Sequence, residues 1–320
     1  MRVTFHIQKY NPEIDSKPHE EPYRLDIGRG TTVLEALMRL KNEVDGTLTF
    51  RYACRSAICG SCAMEINGTE KLACKAQIRP ELERHGEVRI GPLKNLPLIK
   101  DLVVAMQPFW EKIQSIRPWL DPLPHERVDA VAMRDAYKAF NNVEACIMCG
   151  ACVAACTVYE VSKGFAGPAA LAKAYRFVAD PREAAVAERL EGLQGDGGVW
   201  DCTRCNYCVE VCPKDVKPME AIILLRRASI ESGLTQTLGS RHITSFVDII
   251  RHEGRLNEGL MPMKVIGFRI KDLLRILPLG IKMFLKGKVP FPFKLKPAIP
   301  GIKQVRAIFK ARNKIKRGAG

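Results

Sequence analysis

The chain has 320 residues, with 50 Lys and Arg against 35 Asp and Glu, and 12 cysteines. A composition of 47% hydrophobic and 27% charged residues is that of an ordinary globular protein, and it excludes collagen, disorder throughout and a polytopic membrane protein. The net charge of +15 is uneven: from Gly259 onward 16 bases face one acid, Asp272, so the first 258 residues carry 34 of each sign.

The length suggests about two domains. No run of about 18 uncharged apolar residues occurs, so no transmembrane helix is expected. The best stretch, 263–285, is broken by Lys264, Arg269, Lys271, Asp272, Arg275 and Lys282. The N-terminus, MRVTFHIQKY, alternates like a strand and lacks the apolar core of a signal peptide. A chain kept in a reducing cytoplasm is expected to use twelve cysteines as metal ligands and not as disulfides.

In chain order, Val3, Phe5 and Ile7 alternate with polar residues, as do Tyr23, Leu25 and Ile27, which predicts two half-buried strands. Thr31 or Thr32 can cap a helix with Val33, Leu34, Leu37, Met38 and Leu40 on its apolar face. A loop with Cys54, Cys59 and Cys62 follows, then a strand over 63–66, a turn at Asn67-Gly68, and Cys74 just beyond. Val88 and Ile90 make a last short strand, with Gly91-Pro92 at the boundary and His85 in an exposed turn before it.

From about Leu98 the pattern reads as helical: Ile99, Leu102, Val103 and Met106, then Val131, Met133, Ala136, Tyr137 and Phe140. A helix through Leu171, Ala174, Tyr175 and Val178 separates two cysteine clusters, and another over 219–230 follows the second. This divides the chain into an N-terminal unit (1–97), an α-helical unit (98–258) and a basic extension (259–320).

Cys54, Cys59, Cys62 and the distant Cys74 have the plant-type [2Fe–2S] spacing, C-x4-C-x2-C with a remote fourth cysteine. A two-iron core takes two thiolates on each iron. Gly60 would let the backbone approach it, and the small Ser56, Ala57 and Ser61 would let N–H groups point at the sulfurs. Cys146, Cys149, Cys152 and Cys156 form C-x2-C-x2-C-x3-C, and Cys202, Cys205, Cys208 and Cys212 repeat it with Pro213 behind. In this two-cluster run the fourth cysteine ligates the other cluster. One [4Fe–4S] cluster is thus assigned to Cys146, Cys149, Cys152 and Cys212, and a second to Cys156, Cys202, Cys205 and Cys208. Zinc would use two separated cysteine pairs per site, and disulfides have no use for a three-residue rhythm. The six histidines are scattered and none is assigned to a metal. Trp110, Trp119 and Trp200 read as core or interface aromatics.

With these runs, CRSAICGSCAM, PLIKDLVVAMQPFWEKI, SIRPWL and GPAALAKAYRFVADPR, the chain over about 2–227 resembles the iron–sulfur subunit of succinate dehydrogenase and fumarate reductase. The resemblance implies an α+β protein: a β-grasp [2Fe–2S] ferredoxin domain followed by an α-helical two-cluster ferredoxin domain. It also implies a flavoprotein partner holding FAD and the dicarboxylate site, a quinone-side membrane anchor, and no substrate site in this chain. The complex is expected to be peripheral, on the cytoplasmic face of the cell membrane.

Three departures bear on the far end of the electron path. Common members lack a cysteine at the position of Cys205 and hold [3Fe–4S] there; here a complete cluster is expected, with [3Fe–4S] as the alternative. The family's quinone pocket uses a proline, a tryptophan and a histidine where this chain has Thr157, Val161 and Thr203. Lastly, SFVDIIRHEGRLNEG is similar to the end of the cysteine-run subunit of heterodisulfide reductases, which implies a cysteine-rich anchor of that type. A thiol-linked fumarate reductase or a heterodisulfide-reductase-like complex is the alternative reading.

In the basic extension, Ile266, Ile270, Leu273, Leu274 and Leu277 fall on one face of a helix over 263–277, with Lys264, Lys271 and Arg275 opposite. Ile302, Val305, Ile308 and Phe309 recur among Lys303, Arg306, Lys310 and Arg312, and KVPFPFKLKPAIPG between them is expected to be extended by its prolines. A basic amphipathic tail suits a membrane surface. A solvated face is the bland alternative. Nucleic-acid binding, as in an iron–sulfur sensor, lacks interleaved aromatics and is not expected.

Overall fold

A computed structural model describes residues 1–122, 130–140, 142–267, 269–288 and 298–318, and their side chains except those of 130–132, 136, 273 and 312–318. The proline-rich segment 289–297, and the side chains of Val131, Ala136, Leu273 and Arg312, lie outside the described residues. The chain groups into two compact units, Met1–Ala228 and Ser229–Gly320.

The first unit begins with a five-stranded mixed sheet in the order β2-β1-β5-β3-β4. Strands β1 (Arg2–Lys9) and β2 (His19–Asp26) pair antiparallel, with Phe5 opposite Tyr23 and Val3 opposite Leu25. β5 (Val88–Gly91) lies parallel to β1, and β3 (Ala63–Ile66) joins it to β4 (Thr69–Leu72). The two-residue alternation puts Val3, Phe5 and Ile7 in the core, as the sequence predicts. Helix α1 (Val33–Glu43) buries Val33, Leu34, Ala36, Leu37 and Leu40. Its first turn is closed by a reciprocal cap: the Glu35 N–H donates to Thr32 Oγ1 at 3.2 Å, and the Thr32 N–H donates to Glu35 Oε2 at 2.7 Å. Helix α2 (Ile78–His85) ends at Gly86 with φ 75°. His85 is therefore the last residue of a helix and not part of a turn, because Gly86 supplies the left-handed stop one residue later.

The stretch after Leu98 corrects a prediction. It forms a small hairpin, β6 (Leu98–Lys100) with β7 (Val103–Val104), and not a helix. The reason is tertiary. Asp101 turns the chain at φ 47° with its side chain buried. Its carboxylate accepts the N–H groups of Tyr10 at 2.9 Å and Thr49 at 2.8 Å, and Lys9 Nζ at 3.4 Å. Those bonds outweigh the helical spacing of the apolar residues.

The rest of the first unit is helical: α3 (Gln107–Ser115), α4 (Ala130–Ala139), α5 (Ala151–Ala154), α6 (Thr157–Val161), α7 (Pro168–Val178), α8 (Val186–Gly192), α9 (Tyr207–Glu210) and α10 (Pro218–Glu231), the last running into the second unit. The alanines of α7 let neighbours close in on it, and Leu171 and Ala174 are fully buried. Helix α8 escapes the sequence reading because only seven residues form it. It is anchored by the buried Arg189, which pairs with Glu183 at 2.9 Å and donates to the carbonyls of Ile116, Arg117 and Trp119. Trp110 and Trp119 are 41% and 53% exposed, which makes them surface aromatics and not core ones.

The second unit contains α11 (Leu238–Glu253), α12 (Leu260–Ile266), α13 (Ile270–Leu285) and α14 (Ile302–Gly318). The single helix expected over 263–277 is two, because Gly267, at φ 59° and ψ −137°, ends α12. Ile266 is consequently buried while Ile270 is 69% exposed. No helix among the described residues is long and apolar enough to cross a membrane.

Candidate iron–sulfur centres

Three cysteines of the first set lie on the loop between α1 and β3, and Cys74 lies just past β4. Arg55 and Ala57 adopt φ 59° and 55°, and Gly60 φ 74°. Left-handed residues alternating with ordinary ones turn successive N–H groups to one side of the chain. Here they point at sulfur: the N–H groups of Ser56, Ile58 and Cys59 lie 3.3–3.4 Å from Cys54 Sγ, and that of Ala57 lies 3.3 Å from Cys74 Sγ. The Ser61 hydroxyl, with further N–H bonds, lowers the Cys59 thiol to about 6, whereas burial pushes Cys62 up to about 12. One loop thus has a rim thiol ready to ionise and an inner one that ionises only with a compensating positive charge, such as iron.

The two later runs share one backbone device. Met148 and Gly150 have φ 55° and 82°, and Arg204 and Asn206, at the equivalent places, have 60° and 75°. Each pair frames the second cysteine of its run and leads into the short helix, α5 or α9, that carries the third. Gly and Asn are the residues that tolerate this conformation best. That signal stands in both runs and the sequence reading passed over it.

Cys146, Cys149, Cys152 and Cys212 line one cavity, walled by Phe109, Ala169, Ala172, Val216 and Pro218. The last cysteine of the second run therefore joins the first three of the first. Burial pushes Cys149 up to about 11 and Cys152 well above its ordinary value, with the neighbouring sulfurs adding to both. Cys208 is raised to about 12 by burial and then by the negative charge of Cys202, Cys156 and Cys205. Among these, Cys156 accepts the Tyr159 N–H and Cys202 the Arg204 N–H, both at 3.4 Å. None of the twelve cysteines is in a disulfide. Among the described residues no three His, Cys, Asp or Glu could hold a single metal ion. Four thiols around a cavity, with N–H groups aimed at sulfur, suit a multi-iron core with bridging sulfides.

Two asparagines that the sequence reading missed tie the centres together. Asn95 Nδ2 donates to the carbonyls of Val153, Ala154 and Cys156 at 2.8–3.1 Å, so the segment after β5 grips the end of the first run. Asn142 Nδ2 donates to the carbonyls of Lys214 and Asp215, just past Cys212. The first loop also meets the first run directly, around a cavity of about 180 Å³ that both Cys59 and Cys149 line. At the far side, Thr157 Oγ1 donates to Cys205 Sγ at 3.7 Å, Thr203 follows Cys202, and Val161 is 89% exposed. Cys59 and Cys205 are exposed, one at each end of the series, and the middle set has no exposed sulfur.

Known proteins resemble this chain over most of its length. The family model of a 2Fe-2S iron-sulfur cluster binding domain matches residues 4–111, and that of a 4Fe-4S dicluster domain matches 142–216. The fumarate reductase iron-sulfur subunit of Haemophilus influenzae is 39% identical over 232 residues, covering 68% of this chain and 88% of the relative. That of Mycobacterium tuberculosis is 39% identical over 224 residues, covering 69% and 90%, and that of Escherichia coli O157:H7 is 36% identical over 242 residues, covering 73% and 96%. A chain of the Mycobacterium smegmatis Sdh1 complex in the apo form matches the fold with a TM-score of 0.65 at 24% identity, over 73% of this chain and 98% of that one. The chain belongs to the fumarate reductase iron–sulfur subunit family, and its role is electron transfer.

Proposed function

We propose that this chain conducts single electrons between a FAD flavoprotein and a quinone-side membrane anchor, through one [2Fe–2S] cluster on Cys54, Cys59, Cys62 and Cys74 and two [4Fe–4S] clusters. The first cubane takes Cys146, Cys149, Cys152 and Cys212, and the second takes Cys156, Cys202, Cys205 and Cys208. The observation that carries the reading is the crossing of the two runs: Cys212 shares a cavity with Cys146, Cys149 and Cys152. Crossed ligation brings two clusters side by side, as stepwise electron transfer requires. When bound, the clusters accept and release electrons one at a time. The protein supplies thiolates, hydrogen bonds to sulfur, and a half-buried middle set with no exposed cysteine.

In this reading the flavoprotein docks near the exposed Cys59 and carries the dicarboxylate chemistry, and this chain has no substrate site. The far end has Thr157 on the exposed Cys205, and the three positions Thr157, Val161 and Thr203 offer neither indole nor imidazole to a quinone oxygen. A cysteine-rich, heterodisulfide-reductase-like anchor therefore suits it better than a quinone bound directly. The three-part division at residues 97 and 258 stands as part of the proposal, although α11 groups with the basic extension in the compact second unit.

The second unit supports a peripheral membrane position on the cytoplasmic face. On α13, Ile270, Leu274, Leu277, Ile281 and Leu285 lie on one exposed face, while Lys271, Arg275 and Lys282 form a narrow stripe beside it. Helix α14 adds Lys303, Arg306 and Lys310. An apolar face edged by cations settles at the headgroup boundary of an anionic leaflet, at about 1 kcal/mol per engaged base.

The test is to purify the whole complex anaerobically with its flavoprotein and follow reduction by EPR. Succinate or dithionite should yield three paramagnetic centres, one [2Fe–2S] and two [4Fe–4S] per subunit. A stoichiometric [3Fe–4S] signal would refute the full third cluster, and a colourless, zinc-containing preparation would refute the reading as a whole.

A further inference from the structure

Thr157 lies directly after the last cysteine of the first run and is the first residue of α6. Its hydroxyl reaches across to the second run, where Oγ1 donates to Cys205 Sγ at 3.7 Å. The other sulfurs of this set are bonded by the backbone: Cys156 by Tyr159 N–H, Cys202 by Arg204 N–H and Cys208 by Met219 N–H. Backbone donors survive any side-chain substitution, so the Thr157 hydroxyl is a contact that one mutation can remove by itself.

We infer that Thr157 is a positioning residue that raises the reduction potential of the third cluster by hydrogen-bonding its most exposed thiolate. The inference rests on the reading that Cys205 is a ligand of that cluster. An arriving electron adds negative charge that spreads onto the thiolate sulfurs. A donor aimed at one of them is therefore worth more in the reduced state than in the oxidised one. One electron enters from the neighbouring cluster and one leaves to the acceptor. No bond to Thr157 forms or breaks and its proton stays on Oγ1.

The experiment is an EPR-monitored redox titration of the intact complex carrying Thr157→Val, Thr157→Ala or Thr157→Ser. Valine keeps the size without the hydroxyl, alanine removes it with less bulk should valine impair cluster loading, and serine retains the donor. Loss of the hydroxyl should lower the one-electron reduction equilibrium of the third cluster about tenfold, a shift of about 59 mV. The other two clusters, and the serine variant, should stay within about threefold of the parent. The inference is overturned if valine and alanine leave the equilibrium unchanged, or if serine shifts it as far as they do. A [3Fe–4S] signal at this site in the parent complex would remove Cys205 as a ligand, a separate result visible before any variant is made.

Discussion

Gly60 and Cys149 meet with no room for a side chain between them: a Cβ built on Gly60 would lie 2.7 Å from Cβ of Cys149 and 3.0 Å from its Cα. The residue that lets the first loop turn at φ 74° is also the one that lets this loop seat against the first four-cysteine run. Gly60→Ala should therefore act twice, through a left-handed alanine and through a clash with backbone that cannot swing aside. We expect a loss of about 2–4 kcal/mol in stability. A lower Tm, together with weaker magnetic interaction between the first two centres in EPR, checks it. An unchanged Tm would show that the two loops separate at little cost.

Cys205 should decide the type of the third cluster. Cys205→Ala removes one thiolate of the proposed third set and leaves Cys156, Cys202 and Cys208. The oxidised variant should show a [3Fe–4S] signal that the parent lacks, with the [2Fe–2S] spectrum unaltered. An identical oxidised spectrum in parent and variant would contradict the assignment.

Asn95 should report on how the N-terminal segment holds the helical part. Its amide donates to three carbonyls and its own backbone sits at φ 67°, which asparagine accepts and most residues resist. Asn95→Asp replaces the donor by a carboxylate facing three carbonyl oxygens. It should cost about 2–4 kcal/mol and reduce iron content at the third site first. Denaturation midpoints and iron analysis of the complex measure both effects.

Stability should fall in acid through Asp45. Burial alone would raise its carboxyl, but hydrogen bonds from Thr47, Lys9 and Tyr23 outweigh that and hold it well below the ordinary range. A carboxylate depressed in the folded state adds stability that is complete above its unfolded value, near pH 4, and is lost as pH falls through the folded value. Denaturation of the parent should thus be insensitive to this group above about pH 5, and Asp45→Asn should flatten the decline below about pH 4. An equally steep acid decline in the variant would assign it to other carboxylates.

The apolar face of α13 should set membrane retention. In the whole complex, Leu274→Asp with Leu277→Asp, at 61% and 48% exposed positions, should abolish sedimentation with vesicles containing phosphatidylserine. High salt should weaken binding of the parent, because the bases contribute through a screened potential. Undiminished sedimentation of the double variant would place attachment elsewhere.

What the sequence determined by itself was the chemistry. Cysteine spacing is a local property, so Cys54 to Cys74 and the two later runs, the alternating strands of the first sheet and the capped helix at Thr32 could all be read from neighbours along the chain. Only the tertiary structure decided what depends on distant partners. Asp101 bends the stretch from Leu98 into a hairpin by collecting the N–H groups of Tyr10 and Thr49, and no local pattern records them. Gly267 splits an apolar periodicity that runs through it unbroken. Asn95 reaches Cys156, Gly60 reaches Cys149 and Thr157 reaches Cys205 across intervals where spacing carries no information. Thiolate chemistry is written in the one-dimensional order of the residues; the closeness of one centre to the next comes from packing, which only the folded chain supplies.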